Sequence, residues 1–204
     1  MIPILYSVNE KEYLTEGLGA LSDAISCYVT EERNGMFELE MQYPVEGIHF
    51  EQISHSAQIM ADAADGVTGQ IFRVYKITKP LNGIVTIKAQ HVSYQMSHIP
   101  VDPFTANTAA EALQGLKLHA VEDCPFEFWT DKSTTATYKQ TIPESIRARL
   151  GGQAGSILDV YGGEYEWDNY TIKLHAKRGN DNGVVLRYGK NITDITQEEN
   201  IENT

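Results

Sequence analysis

The chain has 204 residues, of which 42% are hydrophobic and 22% charged, so it can bury a core as one large or two small domains and is not a disordered sequence. Its formal net charge of −12 makes a nucleic acid or an anionic membrane surface a poor partner, because like charges repel. The sequence also has no run of lysine and arginine that could form a basic patch for nucleic acid or an anionic membrane.

The first predicted element is a β-hairpin. Residues 24–30 and 36–43 alternate apolar and polar side chains, and the Asn34-Gly35 step between them tolerates the positive φ angles of a tight turn. The face of the second strand that we expect in the core consists of Phe37, Leu39 and Met41. The opposite face, which meets solvent or a partner, consists of Glu38, Glu40 and Gln42.

A second hairpin repeats this pattern. Its strands cover residues 70–78 and 84–91, and the Asn82-Gly83 step lies at the bend. A further strand is predicted over residues 56–61. Several short strands joined by hairpins are typical of a small β-barrel or sandwich, which we place at residues 1–100.

The pattern becomes mixed after Pro100 and Pro103. A helix is predicted to begin after Thr108, which can cap it, and Glu111 completes a capping box. The remaining predicted elements are strands over residues 126–130 and 136–141, a helix from Pro143 to Leu150, a helical turn over residues 156–161, a hairpin over residues 164–175 that turns at Asp168-Asn169, and a strand over residues 184–188. The predicted fold class is therefore α+β, mainly β, with a small β-barrel or sandwich domain at residues 1–100 and a mixed α/β domain at residues 101–204.

The glycine-rich segment from Leu150 to Ser156 is the first candidate binding motif. A glycine-rich loop before a helix can cradle phosphate with its backbone amides. A P-loop also needs a lysine followed by serine or threonine, and this segment has no lysine and follows a predicted helix instead of a strand. The favoured interpretation is a helix C-terminus joined to the next N-cap at Ser156.

The six histidines show no HExxH motif and no i, i+4 pair, so no helical zinc face is predicted. His91 lies at the end of a predicted strand, where a hydrogen-bonded structural role is the favoured interpretation. No GxSxG elbow is present. The sequence therefore predicts no catalytic residue, no metal ion and no cofactor.

One acidic row remains as a candidate for chemistry. Alternation places Glu164, Glu166 and Asp168 on one face of a strand. Such a row can supply a general acid and base or bind calcium. The favoured interpretation is a solvated face opposite Tyr165 and Trp167.

The compartment is inferred from the N-terminus and the cysteines. Residues 1–6 show no basic flank followed by a long apolar stretch, which predicts no signal peptide. No apolar run approaches the roughly 20 residues that a membrane span needs. Cys27 and Cys124 lie far apart without CxxC spacing, so we expect reduced thiols in a protein made in a cytosol.

Long ordered motifs carry a family resemblance. In chain order they are residues 30–45 (TEERNGMFELEMQYPV), 72–80 (FRVYKITKP), 89–94 (AQHVSY), 150–152 (LGG), 155–169 (GSILDVYGGEYEWDN) and 187–194 (RYGKNITD). This string is similar to the N-terminal region of tail proteins of siphophages and prophages of Gram-positive bacteria. That family carries the names phage minor structural protein, prophage endopeptidase tail and tail-associated lysin.

The resemblance implies a baseplate-hub-like fold and a structural role at the virion tail tip. It implies a homotrimer that closes the tail tube, with the distal tail protein and the tape-measure protein as partners. It also implies that the chain is part of a longer protein, in which any peptidase would lie elsewhere. No residue of this chain matches a catalytic motif, so we expect it not to be an enzyme.

Two other functions remain open at this point. A host-receptor or carbohydrate-binding module would use Trp129, Tyr165 and Trp167 to stack on sugars. A cell-wall-degrading peptidase or glycosidase would use the row from Glu164 to Asp168. A separate hypothesis places Glu38 and Glu40 on the wall of a DNA channel, where acidic side chains would keep DNA from adhering.

Overall fold

The structure is a computed structural model that describes residues 1–64 and 66–179, together with residues 183, 185 and 187. The strand predicted over residues 184–188 and the motif over residues 187–194 lie outside these continuous stretches. The described part is mainly β with a few helices, which confirms the predicted class.

A seven-stranded antiparallel sheet, curled into a half-barrel, dominates the first half of the chain. Its strands are β1 (Ile4–Tyr6), β2 (Gly19–Ala20), β3 (Ser26–Glu31), β4 (Phe37–Pro44), β5 (Gln58–Ala61), β6 (Gln70–Ile77) and β7 (Ile84–His91). They lie in the order β2-β1-β5-β6-β7-β4-β3, so β3 forms one edge. We call this sheet the larger sheet.

Alternation along β4 explains why the larger sheet has one buried face. Phe37, Leu39 and Met41 are at most 1% exposed, as predicted. Glu38, Glu40 and Gln42 lie on the outer face. Strand β7, which pairs with β4, follows the same period of two, so these two neighbouring strands contribute a continuous apolar layer to the core.

The two Asn-Gly steps form different turns. At the second, Asn82 and Gly83 both take positive φ angles, and Leu81 and Ile84 exchange backbone hydrogen bonds, which confirms the tight hairpin. At the first, the loop between β3 and β4 spans residues 32–36, and only Asn34 has a positive φ (56°). The first hairpin is therefore confirmed, but its turn is wider than predicted.

The second half of the described chain holds short helices and three small sheets. Its elements are β8 (Pro100–Val101), β9 (Thr105–Thr108), α1 (Ala109–Leu118), β10 (Glu127–Thr130), β11 (Thr135–Lys139), β12 (Glu144–Ser145), α2 (Ile146–Leu150), α3 (Ile157–Tyr161), β13 (Glu164–Asp168) and β14 (Thr171–His175). Two 3-10 segments, Phe50–Gln52 and Val92–His98, lie earlier in the chain. Strands β10, β14 and β13 form a three-stranded sheet, the smaller sheet, in which β10 and β14 are parallel.

Capping side chains set the helix starts. The Thr108 hydroxyl accepts from the Glu111 amide at 3.2 Å, as predicted, but the Glu111 carboxylate accepts from the amide of Asn107 instead of Thr108. The start predicted for α2 at Pro143 is wrong by three residues. Residues 144–145 pair with β8, and Ser145 caps the helix.

One cluster of buried apolar side chains extends from Leu5 to Leu174, on both sides of residue 100. The division into two domains near that residue stays a prediction. None of the helices in the described ranges has the length and hydrophobicity of a bilayer span.

Candidate functional site at the junction between the sheets

Two turn asparagines connect the larger sheet to the smaller one. The Asn34 side chain accepts from the backbone amide of Tyr165 at 2.7 Å and donates to the carbonyl of Gly163 at 3.1 Å. In the opposite direction, the Asn169 side chain accepts from the amide of Ile71 at 2.8 Å and donates to the carbonyl of Gly69 at 3.0 Å. Both asparagines have left-handed backbones, with φ angles of 56° and 51°, which asparagine tolerates better than most residues. Each hairpin turn thus supplies hydrogen bonds to a strand of the other sheet.

A buried polar chain runs between these two turns. The Gln70 side-chain oxygen lies 3.1 Å from the Asn169 amide and 3.2 Å from Nε2 of His91. On the other side of its ring, Nδ1 of His91 lies 3.0 Å from the Ser93 hydroxyl, which also accepts from Arg147 at 3.1 Å. We call these six residues the junction: Asn34, Gln70, His91, Ser93, Arg147 and Asn169.

His91 is the centre of the junction and confirms its predicted hydrogen-bonded role. It is 1% exposed and stacks on Phe37 with ring centroids 4.3 Å apart. Burial first, and the charge of Arg147 second, lower the pKa of His91 to about 3. A histidine that stays neutral through the physiological range holds the two hydrogen bonds of the network and has no spare proton to exchange.

The pH dependence of stability tests this network. The unfolded chain protonates His91 below pH 6.5, whereas the folded state keeps it neutral, so this contribution is complete above pH 6.5 and is lost as the pH falls toward 3. We expect the free energy of unfolding to decrease by about 2 kcal/mol between pH 7 and pH 5 because of this residue. Urea unfolding at several pH values measures the slope of the free energy of unfolding against pH.

The control for this prediction is a matched pair of variants. His91→Gln removes the titrating group, so its stability should vary much less between pH 7 and pH 5 than that of the parent. His55→Gln changes an exposed histidine and should keep the parent slope. Equal slopes in the parent and in His91→Gln would contradict the proposed role of His91.

Arg147 closes the junction from helix α2. Its guanidinium carbon lies 4.5 Å from the ring centroids of both Tyr94 and Trp167. Burial lowers the pKa of Arg147 from its ordinary value, although an arginine remains charged. Around it, a cavity of about 610 Å³ opens between the β3–β4 loop, the 3-10 segment Val92–His98, helix α2 and strand β13.

The acidic row lies where alternation predicted it, on the face of β13 opposite Tyr165 and Trp167, and each member has a cationic partner. Glu164 pairs with Arg33 at 2.9 Å. Glu166 pairs with Lys173 and lies near His175, both at 2.8 Å, and Asp168 pairs with Lys173 at 3.3 Å.

These ion pairs determine whether a carboxylate of the row has the pKa of a general acid. Burial alone raises the pKa of Glu166, but hydrogen bonds and charges from Lys173 and His175 lower it overall, whereas a general acid needs a raised pKa. No cluster of three metal-ligating side chains occurs within the described ranges. Strand pairing places Glu166 directly opposite Lys173, so the hairpin register could have indicated these ion pairs from the sequence.

The three aromatic residues proposed for sugar stacking do not share a surface. Tyr165 and Trp167 are buried, at 2% and 4% exposure, and form part of the core. Trp129 is 48% exposed and packs beside His175. The burial of Tyr165 and Trp167 agrees with the favoured interpretation of a solvated acidic face on the other side of the strand, and a stacking platform built from all three aromatic residues is not formed.

The glycine-rich segment has its predicted role. Helix α2 ends at Leu150, and Ser156 caps α3 by accepting from the amide of Asp159 at 3.3 Å. The carbonyl of Gly155 accepts from Arg149 at 3.0 Å, so the loop is tied to α2.

Both cysteines are free thiols, as predicted, and Cys124 is buried.

The fold is similar to that of a solved prophage tail protein. Prophage tail protein gp18 from Listeria monocytogenes EGD-e is similar to this chain in three dimensions, with a TM-score of 0.61 over 86% of this chain and 50% of that protein, at 16% sequence identity. This chain therefore spans half the length of that protein. No protein-family model and no curated protein matches the chain. The likeness supports the resemblance to phage tail proteins at the level of the fold.

Proposed function

We propose that the chain is a structural component of a phage tail. The observation that carries this proposal is the similarity of its fold, over 86% of its length, to a prophage tail protein. The junction adds a second argument. Its polar side chains hold two sheets together, and its one histidine stays neutral, which suits a rigid building block.

The finer assignment within the tail rests on the sequence motifs. We propose a position at the virion tail tip, in a baseplate hub that is made in the bacterial cytoplasm and trimerises in the full-length protein. The proposed partners are the distal tail protein and the tape-measure protein. Closed rings of this kind repeat one surface around an axis, so each copy needs a face suited to a neighbour.

The outer face of the larger sheet offers such a surface. Tyr28 is 68% exposed and Tyr75 43% exposed, and tyrosine is enriched where proteins meet. Between them Glu40 pairs with Lys88 at 2.8 Å. This mixture of exposed aromatic groups and balanced charge suits a protein neighbour.

The location in the virion can be measured directly. Particles released after induction of the prophage that encodes the chain would be labelled with gold-conjugated antibodies raised against it. We expect gold at the end of the tail opposite the head, seen by electron microscopy. Antibody absorbed beforehand with the purified chain is the control. Label along the tail shaft would contradict the tip assignment, and intact tails without any label would contradict the structural role.

A further inference from the structure

The two arginines of helix α2 differ in how their charges are balanced. Arg149 pairs with Glu144 and donates to Tyr138 and to the carbonyl of Gly155. Within the part of the chain that the structure describes, Arg147 donates only to neutral oxygens, the Ser93 hydroxyl at 3.1 Å and the carbonyl of Gly35 at 3.4 Å. Among the described residues Arg147 has no acidic partner.

An unbalanced arginine is unexpected in this chain. There are 28 acidic and 16 basic side chains, so carboxylates are abundant. A half-buried cation without a counter-ion is costly, and contact with the rings of Tyr94 and Trp167 offsets part of that cost. Those ring contacts do not consume N–H donors. A guanidinium has five of them, and the two hydrogen bonds to Ser93 and Gly35 leave three available.

Trp167, which lines the cavity beside Arg147, carries a second donor without an acceptor. Its indole Nε1 is buried and has no hydrogen-bond partner among the described residues. Much of the remaining lining is apolar and includes Met36, Leu150 and Leu158. The cavity thus combines hydrogen-bond donors and a cation with a hydrophobic wall.

We propose that this cavity binds a glutamate side chain presented by a partner protein, with Arg147 as the carboxylate-binding residue. The planar guanidinium matches a carboxylate with two parallel hydrogen bonds, and the methylene groups of glutamate suit the apolar lining. A phosphate group fits less well, because Glu38 also lines the cavity and the chain as a whole carries −12, which penalises a dianion more than a monoanion. The inference does not depend on the role in a phage tail.

Tryptophan fluorescence can test the proposal. The chain has two tryptophans, so Trp129→Phe leaves Trp167, in the cavity wall, as the single reporter. The probes are the blocked tripeptide Ac-Ala-Glu-Ala-amide, its glutamine counterpart and inorganic phosphate. We expect a saturable change with the glutamate peptide, with a Kd on the order of millimolar, and binding of the glutamine peptide and of phosphate at least about tenfold weaker.

Variants on both sides of the cavity sharpen the test. Arg147→Lys keeps the charge but loses the planar fork and should weaken binding of the glutamate peptide about tenfold. Arg147→Gln should abolish binding, and its circular dichroism spectrum shows whether it folds. Glu38→Gln removes the neighbouring negative charge without touching Arg147 and should tighten binding about threefold.

Three results would each overturn the proposal. The first is equal binding of the glutamate and glutamine peptides. The second is tighter binding of phosphate than of the glutamate peptide. The third is no saturable change with the glutamate peptide up to its solubility limit, in both the Trp129→Phe protein and its Glu38→Gln derivative.

Discussion

Replacing Arg149 with methionine is expected to lower the free energy of unfolding by about 3–5 kcal/mol, because removing one partner of a buried ion pair leaves the others unsatisfied. Arg149 is 6% exposed and donates to the Tyr138 hydroxyl at 2.9 Å and to the Gly155 carbonyl at 3.0 Å, in addition to pairing with Glu144. Methionine fills similar space but makes none of these bonds. Urea unfolding at pH 7 measures the loss.

An exposed ion pair provides the control for Arg149→Met. Lys117 and Glu127 also form an ion pair, but their side chains are 35% and 68% exposed. Lys117→Met should therefore change stability by about 0–1 kcal/mol. If Arg149→Met loses no more free energy of unfolding than Lys117→Met, burial does not increase the contribution of the Arg149 ion pair to stability.

At acidic pH we expect a smaller difference in the free energy of unfolding between Arg149→Met and the parent. The hydrogen bond from Arg149 is the main reason why the pKa of Glu144 lies below 4.5 in the folded protein. The stability from this pair is thus present above pH 4.5 and is lost as the pH falls through the lower, folded-state value. Below that value the parent also lacks the ion pair, so the two proteins should approach each other in stability.

The long strands were predictable because their signals are local. In β4 and β7 the side chains alternate over eight residues each, and the Asn82-Gly83 step imposes its own turn geometry. Short elements carry too few residues to show a period. Strand β1 has three residues and β8 has two, and both depend on partners that are distant in the chain.

The junction was not predictable for a related physical reason. Gln70 and Arg147 have no unusual sequence context, and their importance comes from contacts with residues 99 and 54 positions away. The parallel pairing of β10 with β14 likewise joins segments that no local pattern relates. The acidic row shows the opposite case, since alternation gave its face correctly and only its cationic partners were missed, two of them across the hairpin and Arg33 in the β3–β4 loop.

The hairpin turn of the smaller sheet shows how one residue changes the meaning of a local signal. The turn was expected at Asp168-Asn169, and the structure places it one residue later, because Asp168 pairs with Thr171. This shift puts Asn169 at the tip of the turn, where its side chain reaches the start of β6. The sequence indicated Asn169 only as a residue that favours a turn, whereas in the structure its side chain also joins the two sheets.

Replacing Asn169 with alanine is accordingly expected to lower the free energy of unfolding by about 3 kcal/mol. About 2 kcal/mol comes from losing two hydrogen bonds, one of which leaves the amide of buried Ile71 without an acceptor. About 1 kcal/mol comes from holding alanine at a φ of 51°. Asn169→Gly relieves the backbone strain and should recover about 1 kcal/mol of the loss. Thermal or urea unfolding of the three proteins separates the two contributions.

Asn82 is the matched control, because it has the same residue type and nearly the same φ, 52°, in an exposed turn where its side chain makes no hydrogen bond to any residue that the structure describes. Asn82→Ala should therefore show only the strain, about 1 kcal/mol. Asn34→Ala, which removes the reciprocal contact to Tyr165 and Gly163, should resemble Asn169→Ala instead. Equal losses at all three positions would mean that turn strain alone accounts for the asparagines. The hydrogen bonds between the two sheets would then add no measurable stability to the fold.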